Sequence, residues 1–240
     1  MAGLAVAGLT ACGSSGGATT TADSPQALLA AALHNAVASS GVHESAQARG
    51  NGITITMAND IGPTSGRQVI DAGGGHSVVI VAGDRAYFRG DAAALAGYYR
   101  FPVTVAREYA GKWMSLGPSD TGYAQVSGAV TLASDFSQIA IHGPLAARPI
   151  TMPDGRQAIA ISGTATGPTG TPTPATLDVT ATGSAMPIAL REGDGQASQM
   201  VAWTRWGQPV AFSAPAGATP IPGLGSPPGA GGQTAPGTRV

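Results

Sequence analysis

Few residues in this chain have chemistry to offer, and their spacing argues against catalysis. There are four histidines, His34, His43, His76 and His142. None stands in an HExxH arrangement or any other metal-ligand spacing, so no metal site is expected and all four read as surface residues. His43 precedes Glu44, an acid–base pair by composition. Neighbours on a β-strand point to opposite faces, so the two side chains are expected to part. No Gly-x-Ser-x-Gly elbow stands on a strand–helix junction. Gly73-Gly74-Gly75 lacks the helix and lysine that a phosphate cradle needs, and it reads as a tight turn. Trp113, Trp203 and Trp206 are candidates for a sugar-stacking platform. Trp203 and Trp206 are three apart, so on one strand they face opposite sides, one in the core and one near an edge. No catalytic residue and no cofactor follows from these patterns.

Composition narrows the field further. The chain has 240 residues, a formal net charge of −1 and only 10% charged residues, against about 25% in an ordinary globular chain. No cluster of lysine and arginine stands out along it, which argues against a nucleic-acid partner. Hydrophobic residues reach 43%, enough for a core, although aromatics are only 5%. The single cysteine rules out an intrachain disulfide.

That cysteine is the most informative residue. Leu9-Thr10-Ala11-Cys12 closes an apolar run of small residues and resembles the bacterial lipobox, in which the thiol receives a diacylglyceryl group and the peptide is cut before Cys. Cys12 is therefore the expected lipid attachment site. An anchor with more than one acyl chain holds a protein stably at a membrane. Residues 1–11 read as a truncated signal peptide, because the positively charged start of such a peptide is missing. Residues 12–23, rich in Gly, Ser and Thr, read as a flexible tether.

The elements expected beyond the tether alternate in type. Ser24-Pro25 opens a helix with an N-cap and a first-turn proline. Leu28, Leu29, Ala32, Leu33, Ala36 and Val37 share its face. From Val42 to Asp91 the period switches to two, as in a five-stranded antiparallel meander. Asn51-Gly52, Gly62-Pro63, Gly73-Gly74-Gly75 and Gly83-Asp84 are its turns. Short helices are expected from Asp91 to Leu95 and from Pro102 to Tyr109. Ser127 to Ile141 carries the clearest helical face, with Ala129, Leu132, Ala133, Phe136, Ile139 and Ala140. Arg148 to Ser213 reads as five more strands, the last being Val210–Ser213. Residues 216–240 are Pro/Gly-rich and are expected to be a disordered tail. The economical arrangement is α+β. One curved antiparallel sheet of about ten strands, a half-barrel, would wrap over the central helices as a single domain spanning 24–215.

The order of motifs resembles a known family. Lipobox, tether, helix, a meander ending in Val78–Gly90 (VVIVAGDRAYFRG), a Tyr109-Ala110-Gly111-Lys112-Trp113 element and a second meander look like the mycobacterial LppX/LprG type of lipoprotein. More distantly they look like the LolA/LolB carriers. The resemblance implies a half-barrel around helices with an apolar cavity. It also implies binding of lipid or glycolipid acyl chains in the cell envelope, on the extracytoplasmic face. Leu132, Phe136 and Ile139 would then supply part of the lining. The alternative is a non-catalytic scaffold with a filled core, tethered beside an envelope protein partner.

Overall fold

The computed structural model describes residues 24–50, 52–166, 170–193 and 197–221. Cys12, the expected signal peptide, the tether, Asn51 and the chain beyond 221 lie outside the described residues.

The chain opens as read. Ser24 Oγ accepts from the Ala27 amide at 3.1 Å, and Pro25 starts helix α1, Pro25–Val37. Leu28, Ala32 and Ala36, four apart, form its buried stripe. Five strands follow: β1 (Val42–Gly50), β2 (Ile53–Ile61), β3 (Gly66–Ala72), β4 (Gly75–Ala82) and β5 (Arg85–Gly90). Ala72 pairs with Gly75 across a two-residue turn in which Gly73 and Gly74 take φ of +56° and +80°. That handedness matches the strand twist and is open to glycine at little cost. The triple glycine is therefore a turn.

Helix α2 (Ala92–Gly97) is capped by Asp91, whose carboxylate accepts from the Ala94 amide at 2.7 Å. Helix α3 (Val103–Tyr109) follows Pro102. Strand β6 (Met114–Leu116) then pairs with β5. Three residues are too short to show a period, so this strand was invisible in the sequence.

Of the expected helix over 127–141 only α5 (Leu132–Phe136) is helical beyond residue 127, where a separate short helix, α4 (Tyr123–Ser127), ends. Between them Thr131 is extended, bridges Gly62 and caps α5 reciprocally with Ser134. The helical spacing of apolar residues is real, but separate elements satisfy it. Leu132 and Phe136 point inward from α5, while Ile139 does so from the turn beyond.

The second meander is β7 (His142–Thr151), β8 (Gln157–Thr166), β9 (Pro172–Thr180), β10 (Pro187–Gly193) and β11 (Ser198–Thr204). The expected strand Val210–Ser213 is an irregular strap instead. Residues 216–221, expected to belong to the tail, are placed against the sheet. Thr219–Pro220 forms β12, parallel to β6. The Thr219 and Ile221 amides bond the Trp113 and Ser115 carbonyls at 3.0 and 3.1 Å. Pro220 is tolerated because alternate residues carry that ladder.

Twelve strands make one sheet in the order β12-β6-β5-β4-β3-β2-β1-β11-β10-β9-β8-β7. The two meanders meet where β1 pairs with β11, and every described pair is antiparallel except β12–β6. The protein is thus α+β and mostly strand, with short helices. The sheet holds twelve strands rather than ten because β6 and β12 flank the first meander.

Candidate functional site

A row of directly opposed residues crosses the face that the helices cover. It runs from β6 to β11 as Met114, Phe88, Val79, Gln68, Asn59, Glu44 and Trp203. All seven are buried. Its two ends belong to two apolar clusters. One packs α2, α3 and α4 over β4, β5 and β6, around Phe88, Leu95 and Met114. The other packs α1 and α5 over β1–β3 and β8–β11, around Leu28, Phe136 and Leu177.

The middle of the row is polar. Asn59 Nδ2 donates to Glu44 Oε1 at 2.7 Å, and Trp203 Nε1 donates to Glu44 Oε2 at 2.8 Å. Charged acceptors make hydrogen bonds of this kind short and strong. Gln68 Nε2 approaches Met57 Sδ at 3.8 Å, a weak contact. Asn59 Oδ1 is buried with no donor among the described residues. The polar residues thus form a seam through the second cluster, flanked along their strands by Val42, Ala46, Met57, Ile61 and Ile70.

Leu132, Phe136 and Ile139 lie together in the second cluster, at 0, 2 and 5% exposure. The Phe136 ring lies 5.4 Å from Trp203 and 5.6 Å from Trp206. These three residues are packed, and they do not border the groove described below. Trp203 and Trp206 were expected on opposite sides, yet both face Phe136. The strand ends at Thr204, and Arg205 turns the chain with φ +56°, which breaks the alternation. Trp113 lies elsewhere, beneath the Arg89 guanidinium at 4.9 Å. The three tryptophans form no common platform.

His43 and Glu44 part as expected. Glu44 turns into the seam, and His43 Nδ1 meets Asp60 Oδ1 on β2 at 2.8 Å. His76 makes a similar exposed contact with Asp71 at 2.8 Å. His34 and His142 are exposed. The His43–Asp60 pair borders a groove of about 230 Å³ beneath the strap, together with Arg205, Gln208 and Phe212. The sequence reading missed this groove. Its one visible signal was a non-glycine residue at the break after Trp203.

Among the described residues no three of His, Cys, Asp and Glu converge to hold a metal. No described helix is long and apolar enough to cross a membrane.

A single large sheet covered on one face by short helices defines the structural class, and solved structures share it. The chain is similar in fold to lipoprotein LppX of Mycobacterium tuberculosis. The TM-score is 0.51 and the identity 20%, over 79% of this chain and 100% of that one. LprF of Mycobacterium bovis aligns with a TM-score of 0.47 and 17% identity, over 80% of this chain and 97% of that one. No family model and no curated protein sequence matches the chain.

Proposed function

We propose that this protein is an exported, non-catalytic lipoprotein, anchored through Cys12 at the extracytoplasmic membrane face, that binds lipid or glycolipid acyl chains between its sheet and its helices. One observation carries the reading. The covered face of the sheet is apolar at both ends of its buried row, and its cover is segmented. Of the five described helices, α1 has 13 residues and the other four have five to seven. Short helices joined by turns open at lower cost than a second packed sheet. Each methylene of a guest chain then gains about 0.8 kcal/mol on leaving water. The buried Asn59 Oδ1 offers a hydroxyl-bearing headgroup a hydrogen bond.

A second reading has its own observation. Leu132, Phe136 and Ile139 fill the space they were expected to line. A filled core suits a scaffold that meets an envelope partner through its surface.

Mass spectrometry separates the two. Full-length protein carrying Cys12→Ser, expressed with an intact export signal, is expected to bring stoichiometric lipid through purification. Repeated recovery of lipid-free, monodisperse protein, with no uptake from vesicles, favours the scaffold. For the anchor, palmitate labelling is expected with Cys12 and lost with Cys12→Ala. Retained label in the variant sinks that assignment.

A further inference from the structure

The strap after β11 builds a groove that acyl-chain binding does not use. It runs across the ends of β1 and β2 and is tied down at several points. The Gly207 amide bonds the Gly41 carbonyl at 2.9 Å, and Ser40 Oγ bonds the Gly207 carbonyl at 2.7 Å. Ser65 Oγ donates to the Val210 carbonyl and accepts from the Phe212 amide, both at 3.3 Å. A Cβ at Gly41 would strike the Gln208 carbonyl, so glycine permits the close seat. The strap is a fixed wall.

Arg205 stands where the strap begins, with φ +56°. The left-handed region strains any residue with a side chain and suits glycine. Among the described residues thirteen glycines and only two other residues, Arg100 and Arg205, take a positive φ. This chain therefore fills such positions with glycine almost everywhere, and an arginine there retains the strain. Arg205 borders the groove, and its guanidinium has no carboxylate partner among the described residues. Backbone strain of this kind concentrates at binding sites.

The remaining groups define the ligand. Asp60 uses Oδ1 on His43, which leaves Oδ2 as an acceptor. Gln208, also in the lining, carries an amide with both donors and an acceptor. The Val210 and Ala211 amides donate to no acceptor among the described residues. Arg205 brings one positive charge to the groove, and one anionic oxygen answers it. Guanidinium matches the oxygen spacing of phosphate. Asp60 suits a hydroxyl, not a second anionic oxygen. The groove's volume of about 230 Å³ falls below the roughly 300–1,000 Å³ of pockets for drug-sized molecules. It therefore suits a headgroup-sized molecule, not an acyl chain.

We infer that the groove under the strap binds a singly charged phosphate diester carrying a hydroxylated alcohol, with Arg205 as its cation. This goes beyond acyl-chain binding and stands independently of it. Such a diester is either a phospholipid headgroup or a free molecule, and two arms of one experiment separate these sources.

Full-length protein with Cys12→Ser is titrated with glycerophosphoglycerol by NMR, and floated with dioleoylphosphatidylglycerol vesicles. Arg205→Gly is the decisive variant, because it removes the guanidinium and suits the backbone. Its melting temperature is expected to equal or exceed that of the parent, while affinity falls at least tenfold. Arg205→Lys is expected to keep part of the affinity. Binding in solution alone assigns a free diester, and binding to vesicles alone assigns a lipid headgroup. Either supports the site when Arg205→Gly weakens it at least tenfold. Binding in neither arm overturns the site, as does binding that Arg205→Gly leaves intact. A response to methyl glucoside equal to that for the diester also overturns it. Protein recovered lipid-free, with no acyl-chain uptake from vesicles, that still binds glycerophosphoglycerol would sink acyl-chain binding and leave this site standing.

Discussion

At the scale of single residues, one buried carboxylate organises the polar seam. Glu44 is 2% exposed and takes hydrogen bonds from Asn59 and Trp203 on the two neighbouring strands. Truncating it strands two buried donors, each costing about 1–3 kcal/mol. Glu44→Ala is therefore expected to lower stability by about 3 kcal/mol in urea titration, and Trp203→Phe by about 1 kcal/mol. Equal, small losses for both would mean that the seam is wet. Tyr98 and Tyr99 make a second residue-scale prediction. Burial pushes the Tyr99 phenol up from 10.0 to about 12, with a weaker opposing contact from Ser77. Burial raises Tyr98 as well, helped by its neighbour Tyr99. The unfolded chain loses these protons first, so folded stability holds below pH 10 and falls as pH rises toward 12. In alkaline denaturation followed by circular dichroism, Tyr98→Phe with Tyr99→Phe should flatten that fall. The parting of His43 and Glu44 was legible in the sequence because strand alternation is local. Glu44's partners were not, because Trp203 arrives from 159 positions away.

At the scale of elements, alternation and turn chemistry made the first meander readable. Its β3–β4 and β4–β5 hairpins are closed by two-residue glycine-bearing turns of a kind that strand twist demands. The middle of the chain misled for a physical reason. Apolar residues at helical spacing need only face one core, and one short helix with irregular chain on either side meets that need as well as one long helix. Gly128 and the Thr131–Ser134 capping box are the local signals for the break. Strand pairing holds that break in place. A Cβ at Gly66, the first residue of β3, would run into the Val130 carbonyl, backbone against backbone. Neither side can yield as a flexible side chain would. Gly66→Ala is therefore expected to cost about 2 kcal/mol, within the range for overpacking. It should also loosen α5, seen as faster amide exchange at Leu132–Phe136. Unchanged exchange there would show that α5 is held by its core contacts alone.

At the scale of the whole molecule, the question is whether the helical cover moves. The sequence could announce an α+β chain, since helix and strand periods alternate along it. It could not reveal that β1 and β11 join two meanders into one sheet, because that pairing is non-local. It also could not show how tightly the cover closes. Helix α1 packs on α5 and is tied to the far side of the sheet, where Asn35 Nδ2 donates to the Ala185 carbonyl at 2.9 Å. If acyl chains enter between sheet and cover, α1 must lift, and that hydrogen bond must break. Asn35→Cys with Ser184→Cys, in a Cys12→Ser background, places two thiols beside this contact with no third cysteine to compete. A short bismaleimide bridge should then abolish uptake of fluorescent fatty acid from vesicles and raise the melting temperature. Each single-cysteine control, treated alike, should take up lipid as the parent does. Since α1 contributes Leu28, Ala32 and Ala36 to the core, bridging leaves the packed state intact and removes only the opening. Undiminished uptake by the bridged protein would show that lipid enters by another route. Absence of uptake by bridged and parent protein alike would point to a filled core that works through its surface.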